Sequence, residues 1–265
     1  MSNNYLEGTS YPLGPIYSVS SFPRIEGNTS ASNTFNGITL QGTVTENWHL
    51  YKNEGLPYYS SLSQIAENTT LELSPGSTFN NKRILEIKGT FKADAGGGER
   101  ITFSCSGADC YTGELYFLSQ SINSVFNNTF FEKGHSNGII WASSSNISFQ
   151  NTEFSESNTG IVLENSSSTI SNCVFSNISS QALKINDGAP LVENSNFSTG
   201  NLAIYIEGGA PSINNNHFEG FIYPLGVIYG KDTSSIFSGN TGQNNLSNKI
   251  AVWDTINNIW TYINL

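Results

Sequence analysis

One short motif, Asn-x-x-Phe, recurs along the second half of this 265-residue chain at nearly constant spacing. Successive copies lie 24, 21, 22 and 21 residues apart. The repeated positions are Asn127, Asn151, Asn172, Asn194 and Asn215, with Phe130, Phe154, Phe175, Phe197 and Phe218. A regular period of this length is typical of solenoids, in which each repeat packs against its neighbours along the chain.

The segments between these motifs alternate between apolar and other residues with a period of two, which indicates short strands. In this reading Ile139 and Trp141 point to one side of a strand, as do Ile161 and Leu163 in the next repeat. A further apolar position precedes each Asn, as at Phe149. Three strands per repeat, with no helical periodicity, predict an all-β chain folded as a single-stranded parallel β-helix (solenoid) of about eight or nine rungs.

Stacking explains why the chain repeats one Asn and one Phe. Equivalent residues of adjacent rungs lie about 4.8 Å apart, so the Phe side chains are expected to stack inside. The Asn side chains are expected to hydrogen-bond from rung to rung at a corner. Only 12% of residues are charged, which fits a fold in which like charges at stacked positions would repel each other. Both columns are therefore interpreted as structural ladders.

The alternation begins near residue 37, which divides the chain into two parts. Residues 1–36 are expected to be an extended N-terminal arm or cap, because they are rich in Ser, Asn and aromatic residues and contain three prolines. Residues 37–265 are expected to form the β-helix, closed by a C-terminal capping strand or hairpin in the final apolar segment. Because solenoid ends expose strand edges, association of copies through an end or the arm is an open alternative.

The entry into this solenoid resembles a known superfamily. Trp48 is followed by an L-x-L-x-P-G strand (71–76), a G-T-F-x-A strand (89–93) and an I-T-F strand (101–103). This order resembles right-handed parallel β-helix modules of bacterial and archaeal surface proteins, in the pectate-lyase-like superfamily. The resemblance implies a right-handed helix over residues 37–265. It says little about function, since the superfamily includes lyases, hydrolases, epimerases, adhesins and phage spikes.

Charge and hydropathy exclude several classes of function. The net charge is −10, so the basic surface of a nucleic-acid-binding protein is missing. No apolar run is long enough to span a membrane. The opening segment lacks the basic and then apolar pattern of a signal peptide. The low charge and abundant Asn, Ser and Thr suggest a fragment or mature chain that is extracellular or on the cell surface.

The three cysteines and three histidines give no metal motif, so no metal and no cofactor are expected. Cys105 and Cys110 lie five residues apart across a Gly-containing segment and are candidates for a small disulfide loop, with two free thiols as the alternative. Cys173 is expected to fill a small space inside one repeat.

Two functions remain open. Enzymes of the resembled superfamily need concentrated charge in an outer groove, and the only candidate cluster here is Glu164, Lys184, Asp187 and Glu207. That cluster would serve a carbohydrate-active enzyme: a polysaccharide lyase, hydrolase or epimerase. Alternatively, an outward strip of Ile140, Val162, Lys184, Tyr205, Ile228 and Ala251 would hold sugar rings or a protein partner.

The sequence favours binding over catalysis. Whether the chain is an enzyme is left open. The sequence predicts a non-catalytic structural or adhesive module that binds a polysaccharide or cell-surface glycan, or copies of itself as a homo-oligomer or filament. The residues expected to make these contacts are Tyr205, Lys184, Lys231, Asp232 and Trp253.

Overall fold

The structure, a computed structural model, describes residues 1–10, 12–17, 22–104, 112–134, 137–229, 237–254 and 259–264. These residues form 27 strands and, within the described ranges, no helix. In chain order the strands are β1 (Tyr5–Glu7), β2 (Leu13–Ile16), β3 (Thr29–Ala31), β4 (Ile38–Val44), β5 (Trp48–Leu50), β6 (Tyr58–Ile65), β7 (Thr70–Leu73), β8 (Thr78–Asn81), β9 (Leu85–Ile87), β10 (Thr90–Asp94), β11 (Ile101–Phe103), β12 (Leu115–Phe117), β13 (Ser124–Asn127), β14 (Thr129–Glu132), β15 (Ile140–Ser143), β16 (Ile147–Gln150), β17 (Glu153–Glu164), β18 (Thr169–Ser171), β19 (Val174–Asn186), β20 (Leu191–Glu193), β21 (Asn196–Gly208), β22 (Ser212–Asn214), β23 (His217–Tyr229), β24 (Phe237–Ser238), β25 (Thr241–Gln243), β26 (Lys249–Asp254) and β27 (Ile259–Asn264).

The strands wind into a right-handed parallel β-helix of about ten turns. One long sheet of nine strands runs along one face, from β5 through β7, β10, β13, β16, β18, β20 and β22 to β24. The other faces belong to a 16-stranded sheet, in which β17, β19, β21 and β23 each continue around a corner with 12 or 13 residues. In the described part of the chain, every strand pair is parallel except β26 with β27. The all-β parallel β-helix predicted from the sequence is confirmed.

A column of stacked rings fills the interior. Phe154, Phe175, Phe197 and Phe218 are fully buried, and their ring centroids lie 4.7 to 5.1 Å apart. On the preceding turn, the ring that stacks on Phe154 belongs to Phe131, its register partner, and the two ring centroids lie 5.0 Å apart. Phe130, expected in this column, is opposite Glu153 and lies on the outer side, since adjacent strand residues point to opposite faces.

The repeated asparagines lie at exposed corners. Asn151, Asn172, Asn194 and Asn215 have φ values of 49° to 55°, a left-handed conformation that Asn adopts more easily than most residues. Asn151 Nδ2 donates to Asn127 Oδ1 at 3.0 Å, so one bond of the expected amide ladder is formed. Among the described residues, no hydrogen bond joins the side chains of Asn151, Asn172, Asn194 and Asn215 to one another, so the ladder does not continue along the later turns. Asn128 (φ 53°) occupies the equivalent corner, whereas Asn127 lies on β13 opposite Gln150. The motif is thus repeated because each turn needs a left-handed corner.

A true asparagine ladder occurs in the first turns. The backbone N–H of Asn4 donates to Asn28 Oδ1 at 3.0 Å, and the N–H of Asn28 donates to Asn53 Oδ1 at 3.0 Å. Asn28 is fully buried. Strands before residue 36 also pair with later ones, β1 with β3 and β2 with β4, all in parallel. These pairings add turns beyond the eight or nine that the sequence predicts, whereas the domain boundary at residue 36 stays a prediction.

At the other end β26 and β27 form the antiparallel pair, with Trp253 opposite Trp260. No described segment forms a helix capable of crossing a membrane.

Candidate functional site

A column of large side chains runs along the outer side of the 16-stranded sheet. Tyr116, Trp141, Val162, Lys184 and Tyr205 are register partners on the consecutive strands β12, β15, β17, β19 and β21. We call these five residues the aromatic strip. With adjacent strands about 4.8 Å apart, the strip extends over about 19 Å.

On β15 the residue that faces outward differs by one position from the sequence prediction. Ile140 is fully buried and pairs with Ile161 in the core, and Trp141 takes the outward position. The alternation in this strand is ambiguous because Ile139, Ile140 and Trp141 are all apolar. For Ile228, predicted to lie in the strip, the description is limited to the backbone, which pairs with Ile206 on β21. Trp141 is therefore the functional candidate that the sequence interpretation missed.

The side chains of the strip pack on one another. The rings of Tyr116 and Trp141 meet edge to face with centroids 6.1 Å apart. Val162 is only 3% exposed although it points outward, so its larger neighbours cover it. Lys184 Nζ lies 5.8 Å from the centroid of the Tyr205 ring. The strip is consequently a continuous surface of fixed side chains.

The lysine of the strip is paired with a neighbouring glutamate. Lys184 Nζ lies 3.4 Å from Glu207 Oε2, and both side chains are partly exposed. The two charges offset each other, and an exposed pair of this kind contributes up to about 1 kcal/mol to stability. The strip therefore presents little net charge to a ligand.

The structure places three of the four predicted catalytic candidates on the same outer face. Glu164 ends β17 beside the strip, two residues after Val162, and Lys184 and Glu207 form the pair described above. Asp187 instead lies in the turn after β19, where its Oδ1 accepts a hydrogen bond from the N–H of Gly188 at 2.7 Å. Asp187 is held by this turn rather than by the strip.

Several predicted residues fall outside what the structure describes. Lys231, Asp232, Cys105 and Cys110 lie outside the described residues. For Trp253 the description is limited to the backbone, which pairs with Tyr229 on β23. The predicted disulfide and these glycan contacts stay predictions.

A groove that was not singled out from the sequence lies beside the nine-stranded sheet. This groove has a volume of about 560 Å³ and is lined by Ser, Thr, Asn, Ile and Val side chains, including Val125, Ser148 and Thr169 of adjacent strands. None of its lining residues is charged. Within the described ranges, no group of three His, Cys, Asp or Glu side chains is arranged to hold a metal ion.

A known family matches part of the second half of the chain. Residues 159–262 match the family described as "Right handed beta helix region". This segment is a right-handed β-helix. It contains the last three residues of the aromatic strip, Val162, Lys184 and Tyr205, and the predicted cluster of acidic and lysine residues. The β-helix expected from the resemblance is thereby confirmed.

Among solved structures, the β-helix superposes on the catalytic unit of a thermostable GH87 alpha-1,3-glucanase from Streptomyces thermodiastaticus. The TM-score is 0.41 and the sequence identity 10%, over 97% of this chain. The chain spans 65% of the length of that catalytic unit. No curated protein matches the sequence at a significant level.

Proposed function

We propose that this β-helix is an adhesive module that binds a neutral glycan along its aromatic strip without cleaving glycosidic bonds. The single observation that supports this most is the alignment of Tyr116, Trp141 and Tyr205 in one outward column with Lys184. Flat, fixed aromatic side chains bind the apolar faces of sugar rings and lose little conformational entropy on binding. The paired charge of Lys184 and Glu207 favours a ligand without net charge.

The rival function, a carbohydrate-active enzyme, has its own supporting observation. Glu164, Lys184 and Glu207 lie on the same face as the strip, so an acid and a base beside a bound sugar are available. A glycosidase or lyase would use these residues, and its product would be a shortened polysaccharide. The two functions therefore differ in whether the bound polymer is cut.

The test measures binding and cleavage in the same samples. We expect the protein to bind neutral polysaccharides in affinity electrophoresis, with weaker binding to polyuronates and no new reducing or unsaturated ends. Trp141→Ala and Tyr205→Ala should each weaken binding about tenfold, because each removes a stacking surface equivalent to roughly 1.4 kcal/mol.

Tyr223→Ala is the matched control, because Tyr223 is an exposed tyrosine on β23 away from the strip and its loss should leave binding unchanged. Cleavage that is lost in Lys184→Ala or Glu207→Gln would establish the enzyme instead. Absence of both binding and cleavage would contradict the proposal and favour association of copies, which light scattering over a dilution series would detect.

A further inference from the structure

A serine, a histidine and a glutamate meet on the outer side of the nine-stranded sheet, on strands that do not carry the aromatic strip. His49 on β5 and Glu72 on β7 are register partners and both point outward. Ser74 directly follows β7, and its backbone N–H donates to the carbonyl of Leu50 at 2.9 Å. Strand pairing thus fixes the backbone of all three residues.

The side chains of these residues are in contact. His49 Nε2 lies 2.7 Å from Ser74 Oγ, and His49 Nδ1 lies 3.4 Å from Glu72 Oε2. With the proton on Nδ1, the imidazole N–H lies on the side of the Glu72 carboxylate, and Nε2 accepts the hydrogen bond of the Ser74 hydroxyl. A nucleophile, a base and a residue that orients the base are therefore arranged in the order that activates a serine.

Neighbouring side chains hold the base and the carboxylate. The Tyr51 ring stacks on the His49 ring with centroids 4.2 Å apart and an interplanar angle of 13°. The guanidinium of Arg24 lies 4.9 Å from the centroid of the Tyr51 ring, on which it forms a cation–π contact. Lys92 Nζ donates to Glu72 Oε1 at 2.8 Å, which leaves Oε2 towards His49. Such support limits the rotation of the catalytic groups.

The cluster is accessible from solvent. The side chains of His49 and Glu72 are 39% and 33% exposed, so a substrate reaches them from solvent. Two residues beyond Ser74, Gly76 adopts φ 75°, and a Cβ there would lie 2.9 Å from Lys52 Cδ and from Glu99 Oε2. The side chains of Lys52 and Glu99, which pair with each other, therefore lie against the turn that follows Ser74.

We propose that Ser74, His49 and Glu72 form a hydrolytic triad for carboxylic esters. Ser74 Oγ attacks the ester carbonyl carbon and passes its proton to His49 Nε2. The bond from that carbon to the alcohol oxygen breaks, and the alcohol leaves with the proton from His49. Water then attacks the acyl-serine and gives a proton to His49, the bond to Ser74 breaks, and Ser74 recovers its proton as the carboxylic acid leaves.

The first experiment uses a fluorophosphonate probe, which reacts with activated serines, together with hydrolysis of p-nitrophenyl acetate by the full chain. We expect the probe on the peptide that contains Ser74, and no labelling there in Ser74→Ala. His49→Gln should lower the labelling and hydrolysis rates by about 100-fold or more, as expected for loss of a general base. Ser148→Ala, which removes an exposed serine of the same sheet that has no histidine partner among the described residues, should change neither rate.

A second variant separates chemistry from folding. In His49→Ala, added imidazole should restore part of the hydrolysis, which a purely structural histidine would not allow. Failure of the probe to label Ser74 in the unaltered protein, or labelling that is equal in His49→Gln, would overturn the proposal. Glycan binding by the aromatic strip should be unchanged in Ser74→Ala, so the two proposals fail independently.

Discussion

At the residue scale, burial decides the chemistry of the one cysteine that the structure describes. Cys173 is 1% exposed, and its thiol donates to the carbonyl of Ser171 at 3.3 Å. Burial raises the pKa of this thiol from 9.0 to about 12, because the thiolate would lose its hydration. Since the thiolate is the reactive form, Cys173 should be inert in the folded protein.

We therefore expect iodoacetamide at pH 8 to modify Cys173 only after denaturation, as read by peptide mass spectrometry. The same shift makes stability depend on pH. The contribution of the protonated thiol is fully present below about pH 9 and is lost as the pH rises towards 12, because the unfolded thiol ionises first. Burial raises the pKa of Tyr58 too, so Cys173→Ala should flatten the alkaline loss of stability only in part. Alkylation of native Cys173 as fast as in the denatured chain would contradict this.

For the asparagines at the corners, the sequence predicts a structural role but not how each side chain fulfils it. The repeated Asn residues were predictable from spacing alone, and so was their structural role. Their mechanism was not, because Asn serves equally as a rung-to-rung hydrogen-bonding side chain and as a residue that tolerates positive φ. The backbone conformation distinguishes the two roles. Asn172 adopts a positive φ at a corner, whereas Asn28 takes part in hydrogen bonds from turn to turn.

At the scale of strands, the phase of each strand determines which side chains are inside. The segment Asn127-Asn128-Thr129-Phe130-Phe131 fits the Asn-x-x-Phe motif in two phases one residue apart. A one-residue slip moves every side chain to the opposite face, so sequence alone could not choose between them. The same ambiguity at Ile139, Ile140 and Trp141 explains why the sequence did not predict that Trp141 faces outward in the aromatic strip.

Two substitutions test this phase directly. Phe175→Ala removes a ring from the fully buried column and should lower the free energy of unfolding by about 3 to 5 kcal/mol. Phe130→Ala removes a ring from the outer side, where it lies beside Arg100, and should cost about 1 kcal/mol or less. Urea denaturation followed by circular dichroism measures both, and equal losses would show that Phe130 is inside.

At the scale of the whole molecule, the β-helix is quasi-one-dimensional, so each turn is stabilised by its neighbours. Composition and periodicity predicted this architecture well because the same pattern is repeated in every later turn. The first turns were harder to predict, since residues 1–36 lack the Phe repeat and rely on Asn4 and Asn28. The Ser–His–Glu cluster was also hidden, because its members are 23 and 25 residues apart in sequence and adjacent only across strands.

Deletion of residues 1–36 tests how far the first turns support the rest. It removes β2, the parallel partner of β4, and leaves the edge of β4 uncovered above the buried side chains of Ile38 and Leu40. Because coupling between turns is local, amide exchange should accelerate in β4 and β6, whereas β19 and β21 should keep their protection. Asn28→Ala, which keeps the chain length and removes only the side-chain hydrogen bonds to Asn4, Asn53, Met1 and Glu26, should produce a smaller acceleration in the same strands. Unchanged exchange in β4 after the deletion would show that residues 1–36 are an independent arm, whereas faster exchange throughout would show that the whole helix unfolds as one unit.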